Sequence, residues 1–220
     1  MRITAQMMAA VEQKAGISSG RKSILDYMNE SSNSSLLDAL KSDKESKTGS
    51  NNVKKYEQQK SAADSLVNEL DKLTSTAEDS LFAGAAESGS TEKLCDETEK
   101  LVEAYNNLLT ASKSGAGAIE KLYAATLKEA ASDNEEELKQ LGITINNDGS
   151  LSVNEEKLSK TSYDTFKSII GGDSDFMVQL AVITTKIGSN AQANIESCSS
   201  SYNAGGSSSS LYSGSFNIRA

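Results

Sequence analysis

The sequence predicts a mainly α protein, an elongated antiparallel helical bundle or coiled coil with one inserted β-hairpin. Three observations carry that expectation. Apolar residues recur at steps of three and four in long segments, which places each set on one helix face. One short segment between them alternates like two strands around an Asp-Gly turn. The 220-residue chain also contains no proline, so no ring clash interrupts a helix.

Taken in order, residues 1–40 hold Ile3, Met7 and Val11, then Ile24, Leu25 and Met28, then Leu36, Leu37 and Leu40, with Gly16 and Gly20 between. Short helices are expected there, frayed unless a partner covers them. Residues 41–52, KSDKESKTGSNN, lack any apolar side chain and read as a linker, so 1–52 form an N-terminal helical and flexible segment. The pattern then changes. Ala63, Leu66, Leu70, Leu73, Ala77 and Leu81 predict a helix over about 54–82, roughly 45 Å long. The glycines from Gly84 to Gly89 break it.

Leu94, Thr98, Leu101, Tyr105, Leu108 and Ser112 predict a second helix over 92–113, and a short loop makes it an antiparallel neighbour of the first. Beyond Gly115 and Gly117, Ile119, Leu122, Leu127 and Ala130 predict a third, shorter one. Tyr163, Phe166 and Ile169 mark a brief helix ending at Gly171-Gly172. Asp173-Ser174 then caps the last long helix, 174–197, with the stripe Phe176, Leu180, Ile183, Ile187 and Ala191. Residues 53–197 are thus a helical bundle, and 198–220 a flexible serine- and glycine-rich tail.

The hairpin is expected at 143–153. Leu141-Gly142 stops a helix, with glycine free to turn left-handed. Ile143 to Ile145 and Leu151 to Val153 alternate, and Asp148-Gly149 supplies the hairpin turn. A new helix opens at Asn154-Glu155-Glu156, with Ser152 and Glu155 at capping-box spacing.

Composition excludes several functions. Hydrophobic residues make up 37% and aromatics 5%, which suits thin helix packing better than a thick core. A net charge of −9 argues against nucleic acid, which needs clustered Lys and Arg. Histidine is absent, and with it the commonest general base and metal ligand. Cys95 and Cys198 cannot make a zinc site alone, and their separation leaves pairing open. No apolar run reaches membrane-spanning length, and Gln6 and Glu12 break up the short apolar start, so neither membrane insertion nor a secretory signal is expected.

Calcium is the sharpest chemical candidate. Thr144 to Glu155 has the length of an EF-hand loop, with Asn146, Asp148 and Glu155 as oxygen ligands and Gly149 at the sharp turn. Thr144 stands where the first aspartate belongs, and the plainer reading is a hairpin turn. Glu135-Glu136-Glu137 suits the positive end of a helix dipole better than acid–base work. Serines are plentiful, but no G-x-S-x-G elbow occurs, and Gly115 and Gly117 lack a phosphate-loop context. Neither catalysis nor a cofactor is expected. Leu66, Leu70, Leu73, Leu101, Tyr105, Leu108, Leu180, Ile183 and Ile187 form either an internal packing seam or a seam for partner subunits, and spacing leaves both open.

The run Leu101 to Leu109, LVEAYNNLL, is followed by Leu141 to Val153, LGITINNDGSLSV, and then Glu156 to Leu158, EKL. In this order the stretch Lys60 to Ile195 resembles the C-terminal domain of the flagellar filament-capping protein family, hook-associated protein 2. At the N-terminus, Met1 to Thr4 and Ser18 to Lys22 are similar to the starts of flagellin and of hook–filament junction proteins. The resemblance implies a reduced or accessory relative, because nothing here corresponds to the β-rich outer domains inserted in that family. It further implies a non-enzymatic structural protein, exported to the bacterial flagellum without a cleaved signal. Its partners would be flagellin, other flagellar axial proteins or a second copy of itself. Two other readings stand beside it: a cytoplasmic helical adaptor or export chaperone, and a calcium-dependent binding module using the 144–155 loop.

Overall fold

Helix stripes need partners, and in the computed structural model they find them within the chain. The structure describes residues 50–200 apart from Ala116. The elements are α1 (Ser50–Thr74), α2 (Leu81–Ser88), α3 (Glu92–Ser114), α4 (Ala118–Asp133) and α5 (Glu135–Gln140), then β1 (Ile143–Ile145) and β2 (Leu151–Val153), then α6 (Glu155–Leu158), α7 (Tyr163–Ile170) and α8 (Asp175–Ser200). The protein is mainly α with one inserted hairpin, as its sequence predicts. The expected helices of 1–40, and the N-terminal resemblance, lie outside the described residues, as does most of the tail.

The four long helices close into a ring: α1 packs along α3 and α8, and α4 packs against both of those. Side-chain ties give the directions. Gln59 meets Ser112 at 3.2 Å and Lys72 meets Glu97 at 2.6 Å, so α1 and α3 run antiparallel. Tyr105 reaches Leu127, and Gly115 lies against Glu120, so α3 and α4 do too. Gly188 backs onto Ala63, and Gly172 onto Thr74, which turns α8 against α1. The result is an up-down-up-down bundle.

The core follows the stripes. Ala63, Leu66, Leu70 and Leu73 of α1 are buried with Leu94, Leu101, Tyr105 and Leu108 of α3, and with Phe176, Leu180, Ile183 and Ile187 of α8. Phe166, Ile169 and Ile170 of α7 add to it, and Tyr163 sets its ring edge-on to Phe82 of α2, with centroids 6.0 Å apart.

Several boundaries differ from expectation for local reasons. The helix expected over 54–82 stops at Thr74, leaving Ala77 exposed and Leu81 on a separate helix. Polar side chains there bond to nearby backbone and compete with the helix: Ser75 Oγ accepts from Ala77 N, and Ser80 Oγ caps α2 by accepting from Ala83 N. Gly84 sits inside α2, and it is Gly89, at φ +68°, that ends it. α1 begins three residues inside the expected linker, at Ser50, and α8 continues past 197 to Ser200. On α4 the inward face is Glu120, Ala124, Leu127, Ala130 and Ala131, while Ile119 and Leu122 are half-buried.

Candidate functional site

All nine residues of the expected seam turn inward. Leu66, Leu70, Leu73, Leu101, Tyr105, Leu108, Leu180 and Ile187 are at most 2% exposed, and Ile183 is 6%. They are covered by the chain's own helices. The seam is therefore closed within the folded bundle and presents no surface of its own.

The hairpin is the second part of the site. Ile143 pairs with Val153, Thr144 with Ser152 and Ile145 with Leu151, all antiparallel. Gly149 N donates to Asn146 O and Asn146 N to Ser150 O, both at 2.8 Å, so Asn147-Asp148-Gly149 is a three-residue loop closing in a glycine bulge. Gly149 has φ +85°, a conformation that side chains disfavour. Space adds a second requirement, because a Cβ there would lie 2.4 Å from Lys128 Cγ. At the base of the hairpin Gly142, at φ +82°, ends α5, and its carbonyl accepts from Asn154 N at 2.9 Å. The cap of α6 is Asn154, whose Oδ1 accepts from Lys157 N; Ser152, half of the expected capping box, lies in β2. Ser174 caps α8 as expected, accepting from Met177 N.

The hairpin docks on α3 through two adjacent residues. The Tyr105 hydroxyl bonds Leu127 O at 3.0 Å and Gly149 O at 3.2 Å. Asn106 Nδ2 donates to Leu151 O, and Asn106 Oδ1 accepts from Leu151 N, both at 2.8 Å. The amide thus does for β2 what a third strand would do, satisfying the outward backbone groups of Leu151. Burial pushes the Tyr105 phenol well above its ordinary range, and the nearby Asp148 charge adds to this, so the hydroxyl stays protonated. Lys113 Nζ reaches Asp148 Oδ2 at 2.9 Å at the rim.

The same hairpin occupies the Thr144–Glu155 segment of the calcium reading. Asp148 Oδ1 is taken up by Ser150 N and Ser150 Oγ, and those bonds, with Lys113, hold its carboxyl well below the usual range. Asn146 Nδ2 donates to Ser150 and Ser152. Glu155 is at the base of the hairpin, beyond the Asn154–Gly142 bond, while Asp148 is at its tip. Asp148 and Glu155 thus stand at opposite ends of the hairpin. Among the described residues no cluster of three or more Cys, Asp or Glu could hold a metal ion.

A further polar tie joins α1 to α3 at the α2 end. Glu97 is 6% exposed and accepts from Lys72 at 2.6 Å and Lys100 at 2.9 Å, while Lys72 also reaches Glu69. Burial pushes the Glu97 carboxyl up, but these bonds outweigh it and hold it at about 2. A groove of about 350 Å³ opens here between Lys72, Ser75, Asp79, Ser80, Leu81 and Glu97. Its Lys72 and Glu97 are bonded to each other, and Ser80 caps α2. Cys95 is half-buried and unpaired; burial first, and the charge of Asp96 second, push its thiol up and make it less reactive. Cys198 lies on α8. No helix among the described residues is long and apolar enough to cross a membrane.

The spacing of apolar residues marks the seam but misses Glu97 and the docking role of Asn106. Asn106 is signalled by its place beside Tyr105, a polar residue next to the buried stripe, and by falling in the Leu101–Leu109 run that carries the resemblance. Glu97 precedes the stripe residue Thr98 and looks like any surface glutamate. No protein-family model, curated protein or solved structure matches the chain.

Proposed function

We propose that the protein is a non-enzymatic structural or assembly component of the bacterial flagellum, a reduced relative of the filament-capping, hook-associated proteins. Its partner is flagellin, another axial subunit or a second copy of itself. One observation supports this reading above others. The motifs that carry the resemblance, the Tyr-Asn pair and the Leu-Gly-Ile/Asp-Gly/Leu hairpin, are bonded to each other through Tyr105–Gly149 and Asn106–Leu151. Segments far apart in the chain are thus one physical unit, which gives their joint occurrence a cause.

With the apolar stripes used inside the bundle, recognition falls to its outer surface and to Ile3, Met7 and Val11 of the N-terminal segment. This reading places the protein outside the cell, on the flagellum. Deletion of the gene is expected to reduce motility, shorten filaments and release flagellin into the medium, with the intact protein found outside the wild-type cell. Normal filaments with the protein confined to the cytoplasm would overturn the flagellar reading and leave the helical adaptor or export chaperone.

A further inference from the structure

A polar pocket lies at the end of the bundle where α1 begins, α3 ends and α4 begins. Asn52, Lys55, Tyr56, Gln59, Gly115 and Glu120 line a cavity of about 10 Å³. Glu120 is 2% exposed, and its Oε2 is buried with no hydrogen-bond partner. That is costly for a carboxylate, which loses hydration without a replacement donor. Its neighbours are provided for: Gln59 Nε2 donates to the buried Ser112 Oγ at 3.2 Å, and Tyr56 and Asn52 are also partnered.

Glu120 is also held in this position. A Cβ on Gly115 would lie 2.4 Å from Glu120 Cβ and 2.5 Å from its Cγ, so the missing side chain makes the room that Glu120 fills. The pocket's charge is already balanced. Lys55 sets one ammonium against the one carboxylate among the lining residues, and Glu120 is in the first turn of α4, where the helix dipole favours negative charge. A bound cation is not needed for neutrality. A donor hydrogen is what Oε2 lacks, and a cavity of about 10 Å³ has room for one water molecule and no more.

We propose that this pocket is a binding site for a single ordered water, which donates to Glu120 Oε2 and joins α1, α3 and α4 at the end where the chain enters the bundle. The test is an atomic-resolution crystal structure of the full chain, with melting measured in sodium, potassium and choline chloride at equal ionic strength. The expected result is one density peak at hydrogen-bond distance from Oε2, bonded to at least one further polar group, and the same melting temperature in all three salts. A Glu120→Gln protein keeps the peak, because its amide oxygen still accepts, and a Glu120→Leu protein loses it. Lys55 Nζ seated on Oε2, an empty cavity, or a melting temperature raised by one cation alone would overturn the proposal.

Discussion

The bundle and the hairpin are held by different kinds of interaction. Across α1, α3 and α8, cohesion is spread over many buried apolar side chains, each replaceable by another of similar volume. The hairpin offers three residues per strand: it puts only Ile143 and Leu151 into the core, and its polar attachment to α3 rests on Tyr105, Asn106 and the left-handed Gly149. A two-stranded hairpin is marginal by itself, so it depends on this docking. The difference shows that a bundle distributes its stability, whereas an inserted module concentrates it in a few directional contacts. Damage to the first should be global, and damage to the second local.

The largest effect is expected in the bundle. Leu101→Ala removes a side chain that is 2% exposed, and should cost about 2–5 kcal/mol through lost transfer energy and a cavity. Chemical denaturation followed by circular dichroism would show one shifted transition. An unchanged midpoint would mean that the stripe contributes nothing to global stability.

Gly149→Val comes next. It forces a β-branched residue to φ +85° and against Lys128, and should cost about 1–3 kcal/mol. Hydrogen exchange should place the added opening in the hairpin and the adjoining turn of α4, with α1 and α8 unaffected. Uniformly faster exchange throughout the bundle would mean that the two regions are not separable.

Asn106→Ala removes both bonds to Leu151, at a cost of about 1–2 kcal/mol because the backbone groups they paired are only partly exposed to water. The amide of Leu151 should lose protection first. If it exchanges as slowly as in the parent, the amide is not what pins β2.

The last effect concerns acid. Glu97 releases its proton at about 2 in the folded protein, against an ordinary value of 4.5 in the unfolded chain. Its contribution is therefore full above about pH 4.5 and is lost as the pH falls through about 2. Denaturant midpoints for the parent and Glu97→Gln should differ most near neutral pH and converge in acid. A constant difference across that range would show that the α1–α3 tie does not titrate as its geometry implies.

Much of this contrast is legible in the order of the residues. The steps of three and four at Leu66, Leu70 and Leu73, at Leu101, Tyr105 and Leu108, and at Leu180, Ile183 and Ile187 locate three buried faces, because a helix rotates by a nearly fixed angle per residue. The strands, the turn and both left-handed glycines of the hairpin are equally legible, since backbone conformation there is a local steric matter. The stop at Thr74 is harder to see, because the apolar spacing runs on through Ala77 and Leu81 while polar side chains redirect the backbone.

Residue order thus sets the main elements and the inward face of the three longest helices, properties that depend on residues a few positions apart. Packing between elements decides the rest. It closes the seam on the chain itself, turns Glu120 of α4 inward in place of Ile119, and brings Tyr105 and Asn106 to a hairpin some forty residues away. The physical reason is that volume filling and hydrogen-bond satisfaction are settled between elements, where the groups that meet are distant in sequence and leave no periodic trace of their partnership.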